Sequence, residues 1–305
     1  MAINSSDLFS KATPTGVAGR IIQFPLIRII IAALFFIPAF AFHLFTKEFI
    51  KTLPDFYNPW LLDIEFTILI ILLIYSYRLY SKYIEKRSAI EFSRAGLIGE
   101  IGRGVLIGGV LMTGTVLVLI ITGCYRFTAY NGITPLLNGI FLLGISSFVE
   151  ELFARVIFFK LIEEYFGSWI AIAVIAILFG LTHLGNPNAT IIAALAIMLE
   201  TGLLLGAAYM YTRRIWLIWG IHLAWNYFQS AVFGVPVSGV TLDSMVSPQI
   251  TGPIWLTGGE FGVEASLQAV IFCLIAGAVI LKLAIAKGQL VKPVWRRHKS
   301  TEEPV

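Results

Sequence analysis

Eight long apolar segments follow one another along this chain, and they constrain its fold more than any other feature. A helix needs about 20 apolar residues to cross the roughly 30 Å hydrocarbon core of a membrane. Only 13% of the 305 residues are charged, whereas soluble domains carry about 25%. We therefore predict a polytopic membrane protein with spans near residues 24–46, 58–77, 104–123, 134–159, 169–185, 189–211, 215–234 and 265–286.

These segments are long helical runs and not alternating ten-residue strands, which argues against a lipid-spanning barrel. No internal repeat is evident, so the spans are expected to form one unit. The predicted fold is an all-α polytopic membrane helix bundle of about eight transmembrane helices, with its active site in the bundle core. Its parts are residues 1–133 with a basic loop, the motif-bearing core 134–234, and residues 235–305 with a loop, the last span and a basic tail.

Lysine and arginine gather on one side of the predicted spans, and the other side holds only Lys47, Lys51 and Arg126. By the positive-inside rule, both termini are cytoplasmic. The net charge of +4 follows this orientation pattern, so we expect the lipid bilayer as a partner and no nucleic acid. The basic segment from Arg78 to Arg103 is expected to be an interfacial helix or a solvated linker.

The segment 235–264 between the last two spans has no lysine or arginine and is rich in glycine, proline and serine. We expect an ordinary external loop here. The alternative is a segment that folds back over the bundle as a lid, because it also contains Ile254, Trp255 and Leu256.

Three charged residues, Glu150, Glu151 and Arg155, interrupt the apolar run of the fourth span. A charged group at membrane depth costs at least about 2.5–3.5 kcal/mol, so these side chains need partners. Glu151 and Arg155 are four residues apart and can pair along one helix. Glu150 is rotated by about 100° from Glu151 and can point at other polar groups.

Two later spans carry further polar residues. Phe179 and His183 lie at the end of the fifth span, and His222 and Asn226 share one face of the seventh. If the 160–175 hairpin projects into the cytoplasm, these residues lie at a depth similar to that of Glu150. We then expect one pocket that opens to the cytoplasmic side. If the fifth span begins at its tryptophan instead, His183 lies near the outer face and the residues converge less well.

The chemistry open to this set is the activation of water. In one reading, Glu150 acts as the general base, His183 holds the water, and His222 with Asn226 stabilises an oxyanion. In the other, Glu150, His183 and His222 bind zinc, with water as the fourth ligand. The residues alone leave both readings open.

The motifs Glu-Glu-x-x-x-Arg, Phe-x-x-x-His and His-x-x-x-Asn, in this order on successive spans, resemble those of the CPBP family. This family comprises the type II CAAX prenyl endopeptidases and their bacterial, Abi-like relatives. The resemblance covers about residues 134–230 and rests on Glu150, Glu151, Arg155, Phe179, His183, His222 and Asn226.

The resemblance implies an intramembrane endopeptidase acting on a peptide or membrane-protein substrate, lipidated or not, in a bacterial cell membrane. Residues 134–234 are then the protease core. It implies that Glu150 and His183 activate water and that His222 and Asn226 stabilise the oxyanion. Glu151, Arg155 and Phe179 are implied as supporting residues. Because the family is commonly described as metalloproteases, Zn²⁺ or another divalent metal is an expectation beside a metal-free glutamate mechanism.

An alternative from another class is a non-catalytic transporter or bacteriocin-immunity-type membrane protein whose polar cluster is structural. A transporter often shows internal repeats or broken helices in matched halves, and neither is evident. Glu200 is a further buried acid in the sixth span, which could pair with Arg155, line the cavity or serve the structure only. The sequence indicates no oligomeric state.

Overall fold

The computed structural model describes residues 5–54 and 58–297, and most of them are helical. The α-helices are α1 (Gly16–Gln23), α2 (Pro25–Ile50), α3 (Asn58–Tyr83), α4 (Leu97–Ile121), α5 (Thr134–Glu151), α6 (Lys160–Phe166), α7 (Ser168–Thr182), α8 (Ile191–Thr212), α9 (Ile215–Tyr227), α10 (Ile254–Thr257), α11 (Leu267–Ala286) and α12 (Val294–Arg297). Of the helices described, six are long and apolar enough to cross a membrane, namely α2, α3, α4, α7 with the turn that follows it, α8 and α11. The end of the basic tail, residues 298–305, lies outside the described residues.

Two of the predicted spans are helical but are not single α-helices. In the span 134–159, α5 continues into π-helical turns at Leu152–Phe159 and then into α6. In the span 215–234, α9 continues into π-helical turns at Phe228–Val232. Such turns widen the helix locally and often lie at functional sites. The count of eight spans stays a prediction, because only six of the described helices qualify by length and composition.

A small antiparallel sheet lies at one end of the bundle, although the prediction was all-α. Strand β1 (Tyr125–Tyr130) follows α4 and pairs with β2 (Val246–Ile250), with Tyr125 opposite Ile250. This pairing ties the segment 235–264, called the covering loop below, to the bundle. An ordinary external loop was therefore the wrong expectation, and the segment folds back as its alternative proposed.

Close contacts between helices set the position of α9. A Cβ atom added to Gly104 or Gly108 of α4 would collide with the backbone of α9, at Leu217 and Ile221 respectively. Small residues allow this close approach of two helix backbones. Gly202 of α8 makes a similarly close contact with α7.

The basic segment after α3 is buried by a network of ion pairs. Glu85 is completely buried, and its two carboxylate oxygens lie 2.6 and 2.7 Å from Nζ of Lys160. Glu85 also accepts hydrogen bonds from Arg87, whose Nε lies 2.8 Å away, and from Arg28 of α2. These pairs fasten residues 84–96 to α2 and α6. The segment is neither an interfacial helix nor a solvated linker, because its acids meet cations from other helices.

Candidate active site

Glu151 links the helices that carry two of the motifs. Nη1 of Arg155 lies 2.9 Å from Oε1 of Glu151, which confirms the predicted pair along one helix. Nδ1 of His222 lies 2.8 Å from the same oxygen. Glu151 and Arg155 are completely buried. Since a carboxylate only accepts, Nδ1 of His222 carries a hydrogen, and the ring presents its Nε2 atom on the opposite side.

His183 is held in the same tautomer by the backbone. It follows the last turn of α7, and its Nδ1 atom lies 2.7 Å from the carbonyl oxygen of Phe179. A carbonyl oxygen can only accept, so Nδ1 donates and Nε2 keeps its lone pair. Both histidines therefore present an Nε2 atom that is not used by the fold.

Glu150 points at His222, as its rotation from Glu151 predicts. Its Oε2 atom lies 3.8 Å from Nε2 of His222, and its Oε1 atom accepts a hydrogen bond from Oγ of Ser146 at 3.0 Å. The side chain is 34% exposed. A separation of 3.8 Å is too long for a direct hydrogen bond, so both atoms keep bonding capacity for a group that enters between them.

One cavity brings together the four residues predicted to be catalytic. Glu150, His183, His222 and Asn226 all line it, together with Ser146 and Asn186. The covering loop closes its other side with the side chains of Val237, Ser238, Val240 and Leu242. The spacing of the motifs along the sequence thus predicted a real spatial group.

The cavity lies at a different end of the bundle from the one expected. Ser168, at the start of α7, donates a hydrogen bond of 2.6 Å to Glu163, and Glu163 also pairs with Arg213. His183 follows the 15 residues of α7 and so lies about 22 Å from that charged end. The cavity therefore faces the covering loop.

The expectation that it opens on the side of the termini is wrong, because α7 is helical from Ser168 onwards and packs beside α6. The cytoplasmic orientation of the termini stays a prediction.

Phe179 packs among the polar residues. Its ring centroid lies 4.6 Å from the guanidinium carbon of Arg155 and 4.7 Å from the ring of His183. It also meets the ring of His222 edge-on, at 6.2 Å between centroids. The aromatic face stabilises the buried cation.

Two more acids line a cavity that adjoins the motif residues. A second cavity shares His183, His222 and Asn226 with the first and reaches Glu200 of α8 and Glu264. Glu200 therefore lines the cavity, one of the three roles considered from the sequence. Glu264, which precedes α11, was missed because it lies in a loop without a motif. Burial raises the pKa of Glu264 to about 7, although hydrogen bonds from Ser238 and Gln229 lower it.

The three residues predicted to bind zinc are not grouped as a metal site requires. Among residues 5–54 and 58–297, no three side chains of His, Cys, Asp or Glu are grouped so that they could hold a metal ion. Glu150, His183 and His222 share a cavity, but they do not form such a group. A metal cofactor stays a prediction, and no chemical step below is assigned to one.

Comparison with known proteins agrees with the motifs. The family model described as type II CAAX prenyl endopeptidase Rce1-like matches residues 132–228. Neither curated proteins nor solved structures gave a significant match. The match spans every residue of the three motifs, and together with the six apolar helices it identifies an integral membrane protein. Residues 132–228 of this chain are therefore similar to the Rce1-like family of type II CAAX prenyl endopeptidases, as the motifs predicted.

Proposed function

We propose that this protein is an intramembrane endopeptidase that hydrolyses a peptide bond with a water molecule activated by Glu150. The observation that carries the proposal is the pair Glu150 Oε2 and His222 Nε2, 3.8 Å apart in a cavity that His183 and Asn226 also line. The Rce1-like match supports the class of reaction. A general base must stand within reach of the proton that it removes, and the open side of Glu150 meets this requirement.

In the first step, water enters the cavity between Glu150 and the two imidazoles. Nε2 of His183 accepts a hydrogen bond from this water and orients it. Glu150 takes the other proton while the water oxygen attacks the carbonyl carbon of the substrate. The hydrogen bond from Ser146 leaves the Oε2 atom of Glu150 available for that transfer.

In the second step, the negative charge that develops on the carbonyl oxygen needs donors. The Asn226 amide group supplies one. When His222 carries both ring hydrogens, its Nε2–H supplies the other, while Glu151 accepts the Nδ1–H. Donors placed in advance in a site that excludes water stabilise such an oxyanion strongly. The tetrahedral intermediate then collapses, the C–N bond breaks, and the departing amine takes the proton from Glu150.

The proposal is tested by the turnover of purified protein in detergent with fluorogenic peptides, both prenylated and unmodified. We expect Glu150→Gln to reduce kcat by about 10²–10⁴-fold and to leave the melting temperature unchanged. Glu48→Gln is the matched control, because the side chain of Glu48 is 70% exposed near the end of α2. It should retain full turnover.

Two outcomes would contradict the proposal. Glu150→Gln with wild-type turnover would show that another group is the base. Absence of cleavage of every peptide by the wild-type protein, with Glu150→Gln lowering its thermal stability, would favour the structural polar cluster of a transporter or immunity-type protein.

A further inference from the structure

The cavity that adjoins the proposed catalytic residues is lined by a buried acid, Glu200. Glu200 lies in the middle of α8 and is 3% exposed. The cavity that His183, His222 and Glu200 line together has a volume of about 50 Å³. One water needs roughly 10–15 Å³ on this measure, so the cavity is narrow and has room for a chain of a few atoms. Its remaining walls are mostly apolar, with Ile197 and Leu204 among them.

Glu200 lacks a partner within the described part of the chain. Its Oε1 atom is buried and has no hydrogen bond there. Arg155, which the sequence offered as a partner, is engaged by Glu151 and by the carbonyl oxygen of Thr201, 2.9 Å from its Nη2. Glu264 is a second acid that interacts with Glu200 electrostatically. Both oxygens of Glu264 already accept hydrogen bonds from the protein.

A buried carboxyl group without donors is costly, and its cost falls when a cation or a hydrogen-bond donor joins it. The cavity is shared with the proposed catalytic residues, so a donor bound there can reach Glu200 from their side. The apolar walls suit the methylene stem of a long basic side chain, whose charged end would reach Glu200. A second acid in the same cavity favours a positive charge over a neutral donor.

We propose that Glu200 is the base of a specificity subsite that binds the basic side chain, lysine or arginine, of a substrate residue next to the hydrolysed peptide bond. This inference rests on the proposed function, because the same cavity holds His183, His222 and Asn226. A site built to pair with a polar group rejects analogues that lack this group, since its own buried group is then left without a partner. Substrates with an aliphatic residue at this position should therefore react more slowly.

The first experiment uses peptides that differ only at the residues flanking the cleaved bond, which mass spectrometry identifies. We expect lysine or arginine at one flanking position to give kcat/KM at least ten-fold above norleucine. Glu200→Gln should abolish this preference while retaining turnover of the norleucine peptide. Glu65→Gln is the matched control, because Glu65 is also 3% exposed but pairs with His43, away from the cavity.

The second experiment measures binding without turnover. We expect n-pentylammonium to raise the melting temperature of the wild-type protein more than 1-pentanol does. The apparent affinity for n-pentylammonium should fall at least ten-fold in Glu200→Gln. In Glu65→Gln this affinity should not change. The comparison of the two compounds on the wild-type protein needs no variant. It therefore tests the subsite even if Glu200→Gln folds poorly.

The outcomes separate the two proposals. Equal turnover of lysine and norleucine peptides, or an equal loss of both in Glu200→Gln, overturns the subsite and leaves the peptidase intact. If no peptide is cleaved but pentylammonium binds in a Glu200-dependent way, the cation site stands and the proposed function fails. Failure of pentylammonium to bind the wild-type protein better than pentanol overturns the subsite.

Discussion

Oε1 of Glu151 lies 2.8 Å from Nδ1 of His222, so an acid of α5 orients a ring of α9. The same oxygen also accepts a hydrogen bond from Arg155. The two neighbouring acids of the first motif thus have different partners. Glu151 bonds Nδ1 of His222, whereas Glu150 faces the Nε2 atom of the same ring. We infer that Glu151 is a positioning residue and that Glu150 acts on water.

Replacing Glu151 by glutamine tests this positioning role. The amide removes the negative charge that holds the Nδ1–H of His222, so the ring loses its fixed tautomer. We expect kcat to fall on the order of 10–100-fold, as for other partners that orient a histidine, with little change in KM. Steady-state kinetics separate the two constants. A variant in which KM rises and kcat is unchanged would show that Glu151 binds substrate.

Arg155→Met tests the buried ion pair itself. The substitution leaves the completely buried carboxylate of Glu151 without its cation. Breaking a buried pair in this way costs about 3–5 kcal/mol, measured as the free energy of unfolding in denaturing mixed micelles. Arg103→Met is the control, since Arg103 is exposed, and it should change stability by less than about 0.5 kcal/mol. Equal stability of the two variants would contradict the assigned role of Arg155.

Gly108→Ala tests the close contact of α4 with α9. The added methyl group would collide with the backbone at Ile221, next to His222. We expect a loss of thermal stability together with a loss of turnover, because α9 must move away. Gly102→Ala is the matched control in the same helix, where an added Cβ meets no atom within 4 Å. It should be neutral, or stabilising by about 0.5–1 kcal/mol. A stable and active Gly108→Ala protein would show that the two helices have more room.

The pH dependence of stability tests Glu264. Burial raises its pKa to about 7 from an ordinary value of 4.5. The folded protein therefore binds a proton more tightly than the unfolded chain, and stability from this group is present below pH 4.5 and is lost as pH rises through 7. We expect Glu264→Gln to remove a decline on the order of 3 kcal/mol over this range. Melting temperatures of both proteins across the range measure this, and parallel curves would contradict it.

The Glu85 network should have the opposite pH dependence. Burial opposes ionisation of Glu85, but Lys160, Arg87 and Arg28 outweigh it and lower the pKa of the carboxyl group. Its stability contribution is therefore present above its ordinary pKa of 4.5 and is lost as pH falls towards the lowered value. We expect Glu85→Gln to lose about 3–5 kcal/mol at neutral pH. The difference in the free energy of unfolding between Glu85→Gln and the wild-type protein should become smaller in acid. Denaturation measured at neutral and at acidic pH checks this, and an equal difference under the two conditions would contradict it.

Local spacing predicted the features that depend on one helix at a time. The distance of four residues between Glu151 and Arg155 predicted their pair, and the same distance placed His222 and Asn226 on one face. The order of the three motifs on successive apolar runs predicted the family model that residues 132–228 match.

Other features depend on how the helices pack, and no spacing encodes them. The π-helical turns at 152–159, the sheet between β1 and β2, and the burial of Glu85 were not predicted. The end of the bundle at which the cavity opens was predicted wrongly, because it depends on where α7 begins beside α6.

The sequence by itself determined that this chain is a membrane helix bundle and which polar side chains carry its motifs. Apolar length and helical periodicity are properties of the chain alone, and they follow directly from residue type. Only the tertiary structure decided that Glu151 bonds His222, that Glu200 lacks a partner among the residues described, and that the covering loop closes the cavity. These relations join residues far apart in sequence, so they exist only after the helices have packed.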